Sequence, residues 1–201
     1  MNRPALWIKI TNGINALLWR TPLPRRLKTV LSGSIYRNPP MRVARVIEIL
    51  EALRRSEIVV CCMGGWGIDA LVGKQTRKHR DLDLIVARGS WDDALRVLAG
   101  LGYQNWYEQS ADVPLGDRVV LRDSAMRVVD VHPVDLDAAD LSIVSGSIAG
   151  RPVLCLSAEQ QFRSHQEFRN RLLHERRRQR RNTEIARRVL ETESSSAERS
   201  R

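Results

Sequence analysis

The stretch from Met63 to Val86 constrains the fold more than any other part of the chain. It reads MGGWGIDALVGKQTRKHRDLDLIV. An apolar run ends at Met63, two glycines follow, and a short helical segment then extends to Val72, where Gly73 ends it. A basic loop leads into a second apolar strand, which opens on Asp81. The pattern predicts a strand, a tight turn, a helix, a loop and a second strand, within a mixed α/β domain.

The second predicted strand begins with two acids, Asp81 and Asp83, separated by one residue. Alternate residues of a strand point to the same face, so their carboxylates can converge on one site. Two carboxylates held together favour a cation between them, and Mg²⁺ is the usual choice when the substrate carries phosphates. Gly64 and Gly65, placed just before a helix, leave backbone N–H groups accessible and let a phosphate approach closely. The stretch therefore predicts a metal site beside a phosphate site.

Several short motifs at this spacing resemble a known group of enzymes. They are Gly64-Gly65-Trp66 with Ile68-Asp69, Thr76-Arg77-Lys78-His79, Asp81-Leu82-Asp83-Leu84, and Ile148-Ala149-Gly150-Arg151-Pro152-Val153 with Leu156-Ser157. The chain resembles the DNA polymerase β-like nucleotidyltransferase superfamily over roughly residues 44–168. Within it, the closer similarity is to the small aminoglycoside (2″) and lincosamide nucleotidyltransferases.

The resemblance implies a fold and an activity. The fold is a central mixed β-sheet flanked by helices, of the α/β (α+β) class, with helical N- and C-terminal extensions. The activity is Mg²⁺-dependent transfer of a nucleoside monophosphate, AMP from ATP, to a hydroxyl of a small molecule such as an antibiotic, with release of pyrophosphate. Two Mg²⁺ ions and ATP or another nucleoside triphosphate are the expected cofactors and substrate.

A third acid, Asp130, lies inside the apolar run Val128–His132. An unpaired charge there would be costly, so it pairs with an arginine or serves a functional site. In the enzymes that the chain resembles, the matching acid on a neighbouring strand acts as a base and metal partner. Asp81, Asp83 and Asp130 are therefore the predicted catalytic and metal-binding residues. His132 shares the face of Asp130 and is a weaker candidate to line the site.

Gly64, Gly65, Arg77 and His79 are the predicted nucleotide-binding residues. The glycines would cradle the β- and γ-phosphates; an ordinary tight turn is the alternative. Arg77 and His79 share the alternation of the two acids that follow, whereas Lys78 falls between them and is expected to be solvated. A hydrogen-bonding role within the loop is the alternative for His79.

The remaining sequence predicts four regions. They are an N-terminal extension at 1–40 that is helical or partly disordered, a nucleotidyltransferase domain at 41–156, an Arg-rich helical segment at 157–190 and a disordered tail at 191–201. Predicted helices cover 42–55, 66–72, 90–98 and 157–168; predicted strands cover 57–63, 81–87 and 103–109, with hairpins at 118–132 and 145–156. The site is expected at one edge of the sheet, where the Gly-Gly turn meets the acidic strands. Asp123, in loop-like surroundings, is expected at the surface.

The formal charge of +10 suggests either an anionic partner or a solvated Arg-rich segment. Arginines are frequent between residues 169 and 188. Such a run would repel cationic aminoglycosides from a pocket that it lined, so a lincosamide, another hydroxylated small molecule or a phosphate-bearing acceptor stays open. The alternative function is a nucleic-acid-binding protein, or a toxin–antitoxin type of enzyme that modifies RNA or protein. The arginine run lacks interleaved aromatic residues on which bases could stack, which makes nucleic-acid binding the weaker hypothesis.

The three cysteines have no C-x-x-C spacing, and Cys61 and Cys62 lie in an apolar run. Buried thiols in a reducing, cytoplasmic setting are therefore expected. No apolar run approaches the length of about 20 residues that a membrane span requires. The sequence leaves open the acceptor, the base of the triphosphate, the oligomeric state and the role of residues 1–40.

Overall fold

The computed structural model describes residues 17, 20–22, 39–105, 118–135, 141–171 and 182–192. The helices in these ranges are α1 (Val43–Arg55), α2 (Gly64–Val72), α3 (Trp91–Gly100), α4 (Ala158–Arg171) and α5 (182–192). The strands are β1 (Val60–Met63), β2 (Asp81–Ala87), β3 (Gln104–Asn105), β4 (Val119–Arg122), β5 (Val128–Val134), β6 (Ile143–Ile148) and β7 (Arg151–Leu156). The predicted mixed sheet flanked by helices is confirmed.

The described strands form one seven-stranded sheet in the order β3-β4-β5-β2-β1-β7-β6. Strand β2 is parallel to β5 and antiparallel to β1, and β1 is parallel to β7. The two acid-bearing strands, β2 and β5, are therefore neighbours in the middle of the sheet. The expectation of a site at the sheet edge is wrong in this respect, because the acids lie near the starts of central strands rather than on an edge strand.

Alternation along β2 separates the core from the acids. The main core contains apolar side chains of α1, α3 and the even-numbered positions of β2: Val46, Ile49, Leu53, Ala94, Leu98, Leu82, Leu84 and Val86. Each fully buried side chain of this size contributes roughly 1.5–3 kcal/mol. Asp81 and Asp83 alternate with the leucines, so they face the other side of the sheet, where Cys61 and Ile85 belong to a smaller apolar cluster.

Both predicted hairpins are present, as β4 with β5 and β6 with β7. Helix α2 begins earlier than predicted, at Gly64, so the two glycines form its first turn instead of preceding it. Gly64 has φ +62, a conformation that residues with a side chain rarely adopt. Strand β1 begins later than predicted because Glu57, with φ 59, belongs to the turn after α1. Of the strand predicted at 103–109, only 103–105 lies within the described residues.

Asp123 is buried, contrary to the expectation of a surface acid. Its carboxylate accepts hydrogen bonds from the backbone N–H groups of Ala125 (3.0 Å) and Arg127 (2.9 Å) and from Arg127 Nε (2.6 Å). The turn between β4 and β5 points these donors inward, so the acid stabilises the turn as local Asp side chains often do.

The three cysteines are buried free thiols, as the apolar run around Cys61 and Cys62 predicted. The backbone N–H of Gln160 donates to Ser157 Oγ at 3.3 Å, so Ser157 caps the start of α4. Among the described helices, none combines the length and apolar character that a membrane crossing needs.

Candidate active site

Asp83 and Asp130 lie directly opposite each other on β2 and β5. Three possible ligand atoms lie within 4.8 Å of one another: one carboxylate oxygen from each acid and a ring nitrogen of His132. Asp81 lies two residues before Asp83 on the same face, and its charge acts on Asp130. The structure thus brings two of the three predicted acids together with His132 and places the third within electrostatic range.

Burial controls the electrostatics of this cluster. Asp130 is 8% exposed, and burial raises its pKa to about 6; Arg118 opposes this shift and Asp81 adds to it. The guanidinium of Arg118 offsets part of the negative charge, since its Nη1 lies 3.4 Å from Asp130 Oδ2. Burial, helped by Arg118, lowers the pKa of His132 to about 4, so its imidazole is neutral at neutral pH.

Arg118 is a site residue that the sequence reasoning missed. The hairpin register pairs Val119 with Val131 and Val120 with Asp130. One further step of this register brings Arg118 opposite His132, on the face that carries Asp130. The predicted hairpin makes the two strands neighbours, but counting back from a short turn gives another register, because residues 123–127 separate the paired strands in the structure.

The glycines make room for three side chains of the candidate site. A Cβ on Gly64 would lie 2.2 Å from Asp83 Oδ2, and a Cβ on Gly65 would lie 2.3 Å from His79 Nδ1 and 3.0 Å from Arg77 Nη2. Only hydrogen fits at either position. The N-terminus of α2 therefore lies directly against the Asp83 carboxylate, and the first N–H groups of a helix favour anionic ligands.

A buried hydrogen-bond network centred on Asp69 packs against the glycine turn. Asp69, 2% exposed, accepts hydrogen bonds from Thr76 N (3.0 Å) and Thr76 Oγ1 (2.6 Å), and its other oxygen contacts His79 Nε2. His79 is 1% exposed and its ring centroid lies 4.7 Å from that of Trp66. The structure thus places His79 beneath Gly65, where it supports the glycine turn. Its contact with a nucleotide stays a prediction.

Asp69 is the second residue whose part in the site the sequence analysis did not predict. The signal was weak because Asp69 precedes Thr76 and His79 by seven and ten residues. Only the return of the loop over α2 brings these three side chains together.

Arg77 connects the glycine turn to helix α5. Its Nε and Nη2 each lie 3.4 Å from Asn182 Oδ1, and its Nη1 donates to the backbone carbonyl of Lys78 at 3.2 Å. Nη2 is also the guanidinium atom closest to Gly65. The guanidinium is therefore next to the predicted phosphate site, whereas Lys78 is exposed, as expected for a solvated lysine.

An apolar groove of about 800 Å³ lies between α1 and the starts of β1 and β7. Its lining includes Leu50, Ile58 and Val153, and none of the three site acids contributes to it. The groove and the acid cluster are thus distinct features, and the chemistry of the molecule is argued from the acids.

Similarity to a solved structure identifies the fold. The crystal structure of ANT(2")-Ia in complex with adenylyl-2"-tobramycin aligns with a TM-score of 0.64 over 77% of this chain and 92% of that one, at 23% identity. At this identity the likeness shows the fold, which is that of the nucleotidyltransferases. The fold implied by the resemblance in the sequence is thereby confirmed.

Sequence comparisons then give the proteins that the chain is similar to. A family model described as aminoglycoside-2''-adenylyltransferase matches residues 45–144. A lincosamide resistance protein of Staphylococcus haemolyticus is 26% identical over 140 residues, covering 60% of this chain and 81% of that protein. A 2''-aminoglycoside nucleotidyltransferase of Escherichia coli is 29% identical over 127 residues, covering 59% and 69%. The chain is a nucleotidyltransferase that is similar to these resistance enzymes.

Proposed function

We propose that the protein transfers AMP from ATP to a hydroxyl group of a small, antibiotic-like acceptor and releases pyrophosphate, with Mg²⁺ as the metal. The observation that carries this proposal is the parallel register of Asp83 and Asp130 beside the glycine N-terminus of α2. Acidic oxygens next to the N–H groups of a helix N-terminus can hold a metal–triphosphate from both sides.

The donor set fits a divalent cation. Asp83 and Asp130 offer oxygens within one coordination sphere, and Asp81 adds a third carboxylate nearby. Asp130 Oδ1 is a buried carboxylate oxygen without a hydrogen-bond partner among the described residues, an arrangement that is unfavourable unless something else binds it. When bound, divalent ions would neutralise the triphosphate and the charge that develops on its oxygens.

The chain's own residues would bind and orient the two reactants. The N–H groups of Gly64 and Gly65 would hold the β- and γ-phosphates, with the Arg77 guanidinium beside them. Asp130 would accept the proton of the acceptor hydroxyl. The hydroxyl oxygen then bonds to the α-phosphorus, while the bond from that phosphorus to the bridging oxygen breaks and pyrophosphate leaves.

The names of the relatives indicate two classes of acceptor, lincosamides and 2''-aminoglycosides. Arginines are dense in the sequence at 169–188, which disfavours a polycationic acceptor near that segment. We therefore propose a lincosamide or another hydroxylated molecule of low positive charge. Transfer to RNA or to a protein is the competing outcome.

The test is transfer from α-labelled ATP by the full chain with Mg²⁺, against lincosamides, aminoglycosides, tRNA and cell lysate, with pyrophosphate release measured in parallel. Asp81→Asn and Asp83→Asn are expected to lower transfer by about 100-fold or more, as loss of a group acting in the transition state does. Asp92→Asn on the exposed surface of α3 is the matched control. Full activity in both site variants would rule out these acids as metal ligands.

A further inference from the structure

We infer that His132 is a direct ligand of the divalent ion held by Asp83 and Asp130, so that this ion has a nitrogen donor and the site prefers Mn²⁺ to Mg²⁺. The inference rests on the proposed function only in assuming that an ion binds between these acids. It extends that function by adding a ligand and changing the preferred metal.

The spacing of the three side chains suits one coordination sphere. An octahedral ion with bonds of about 2.1 Å places adjacent ligands roughly 3 Å apart and opposite ligands roughly 4.2 Å apart. His132 Nε2 lies 3.3 Å from Asp130 Oδ1, close to the spacing of adjacent ligands. All three donor atoms lie within 4.8 Å of one another, so small side-chain rotations bring them around one ion.

A direct interaction between His132 and Asp130 does not account for this arrangement. Although the two atoms are 3.3 Å apart, Asp130 Oδ1 makes no hydrogen bond to any residue that the structure describes. Asp130 is 8% exposed, so water outside the protein does not satisfy this oxygen either. A buried acceptor without a partner is unfavourable by about 1–3 kcal/mol. A cation between Oδ1 and Nε2 would satisfy both lone pairs at once.

The two oxygens of Asp130 have different surroundings. Arg118 lies on the Oδ2 side, at 3.4 Å, and its positive charge disfavours a cation there. Oδ1 is the oxygen on the side of His132. The guanidinium therefore favours binding of an ion at Oδ1.

Strand geometry keeps His132 on this face. Residues 130 and 132 point to the same side of β5, and Val131 between them is buried in the main core. In the parallel pairing His132 lies opposite Ile85, two residues beyond Asp83. The imidazole therefore extends the row of donors that Asp83 and Asp130 begin.

The donor type determines which metal gains most. Mg²⁺ binds oxygen ligands, whereas imidazole suits the later divalent metals, and Mn²⁺ accepts both. A nitrogen ligand should therefore strengthen Mn²⁺ binding more than Mg²⁺ binding. His132→Gln is expected to weaken Mn²⁺ binding at least about 10-fold, since loss of even an outer partner of a ligand has that effect.

Pulsed electron paramagnetic resonance of bound Mn²⁺ tests the inference. The full chain is loaded with Mn²⁺ and inorganic tripolyphosphate in a nitrogen-free buffer, so that any ¹⁴N coupling comes from the protein. The expected result is a directly coordinated ¹⁴N that changes to ¹⁵N when the protein is made with ¹⁵N-imidazole histidine. The label needs no substitution, so this arm does not depend on how a variant folds. His132→Gln then assigns the coupling among the four histidines.

Three results would overturn the inference: Mn²⁺ bound without histidine coupling, no Mn²⁺ bound under these conditions, or a coupling that persists in folded His132→Gln. Nucleotidyl transfer is measured on the same preparations. Transfer without histidine coupling would remove only this inference. Coupling without transfer to any acceptor would remove the proposed function and leave the ligand in place.

Discussion

Asp83 and Asp130 are cross-strand neighbours on two parallel strands, so their carboxylates lie side by side. Asp81 lies two residues before Asp83. Like charges at such positions repel, and Arg118 offsets only part of the repulsion. A fold that places acids in this way loses stability locally unless a cation binds. The relationship explains why the same residues that define the candidate site should also limit the stability of the metal-free protein.

Asp130→Asn should stabilise the metal-free protein while removing its activity. The change eliminates a buried negative charge next to Asp81 and keeps the side-chain shape, although Arg118 loses its partner. We expect a gain of about 1 kcal/mol in the free energy of unfolding and a fall of about 100-fold or more in transfer. Urea unfolding in EDTA and the labelled-ATP assay measure the two effects. Destabilisation together with retained transfer would contradict the assignment.

Gly65→Ala should disturb the phosphate side of the site. The new Cβ would lie 2.3 Å from His79 Nδ1, and Asp69 holds that ring on its other side. We expect destabilisation of about 1–3 kcal/mol and a higher KM for ATP. Gly100→Ala is the matched control, because Gly100 ends α3 and no atom of the described residues lies within 4 Å of the added Cβ. This substitution should leave the free energy of unfolding unchanged or raise it slightly. Equal effects of the two substitutions on KM would argue against a role for the turn.

Asp69→Ala should destabilise the protein strongly, because it leaves buried donors of Thr76 and His79 without their acceptor. We expect a loss of about 3 kcal/mol in the free energy of unfolding. Glu159→Ala provides the comparison, since Glu159 and Arg163 form an ion pair in which both side chains are more than half exposed. That pair should contribute less than about 1 kcal/mol. Chemical denaturation measures the loss in the free energy of unfolding for both variants. Similar losses would contradict the stabilising role of the Asp69 network.

Asn182→Ala should release the start of α5 from the loop that carries Arg77. Asn182 is 5% exposed, and its Oδ1 is the acceptor for two guanidinium nitrogens. We expect faster amide hydrogen exchange across 182–192 and unchanged exchange in the central strands. Thr192→Ala is the control, because among the described residues its hydroxyl bonds within its own helix, to the carbonyl of Arg188. Unchanged exchange at 182–192 in Asn182→Ala would show that α5 is held by other contacts.

The strand β2, the helix α1 and both hairpins could be predicted because their signals are local. Asp81–Ala87 was predicted to the residue from an apolar run that begins after a basic loop. The turn between β4 and β5 was located, but the inward direction of Asp123 was not, because it depends on which backbone N–H groups the turn presents.

The sequence by itself determined the periodic elements, the order of the motifs and the pair of acids on one strand face, since these follow from the two-residue repeat of a strand and the chemistry of its side chains. Only the tertiary structure decided that β2 and β5 are neighbours, that His132 and Arg118 join Asp130, and that Asp69 holds His79 beneath Gly65. The physical reason is that contacts between distant segments depend on sheet order and register. Those are selected by packing of the whole core, and no local pattern in the chain specifies them.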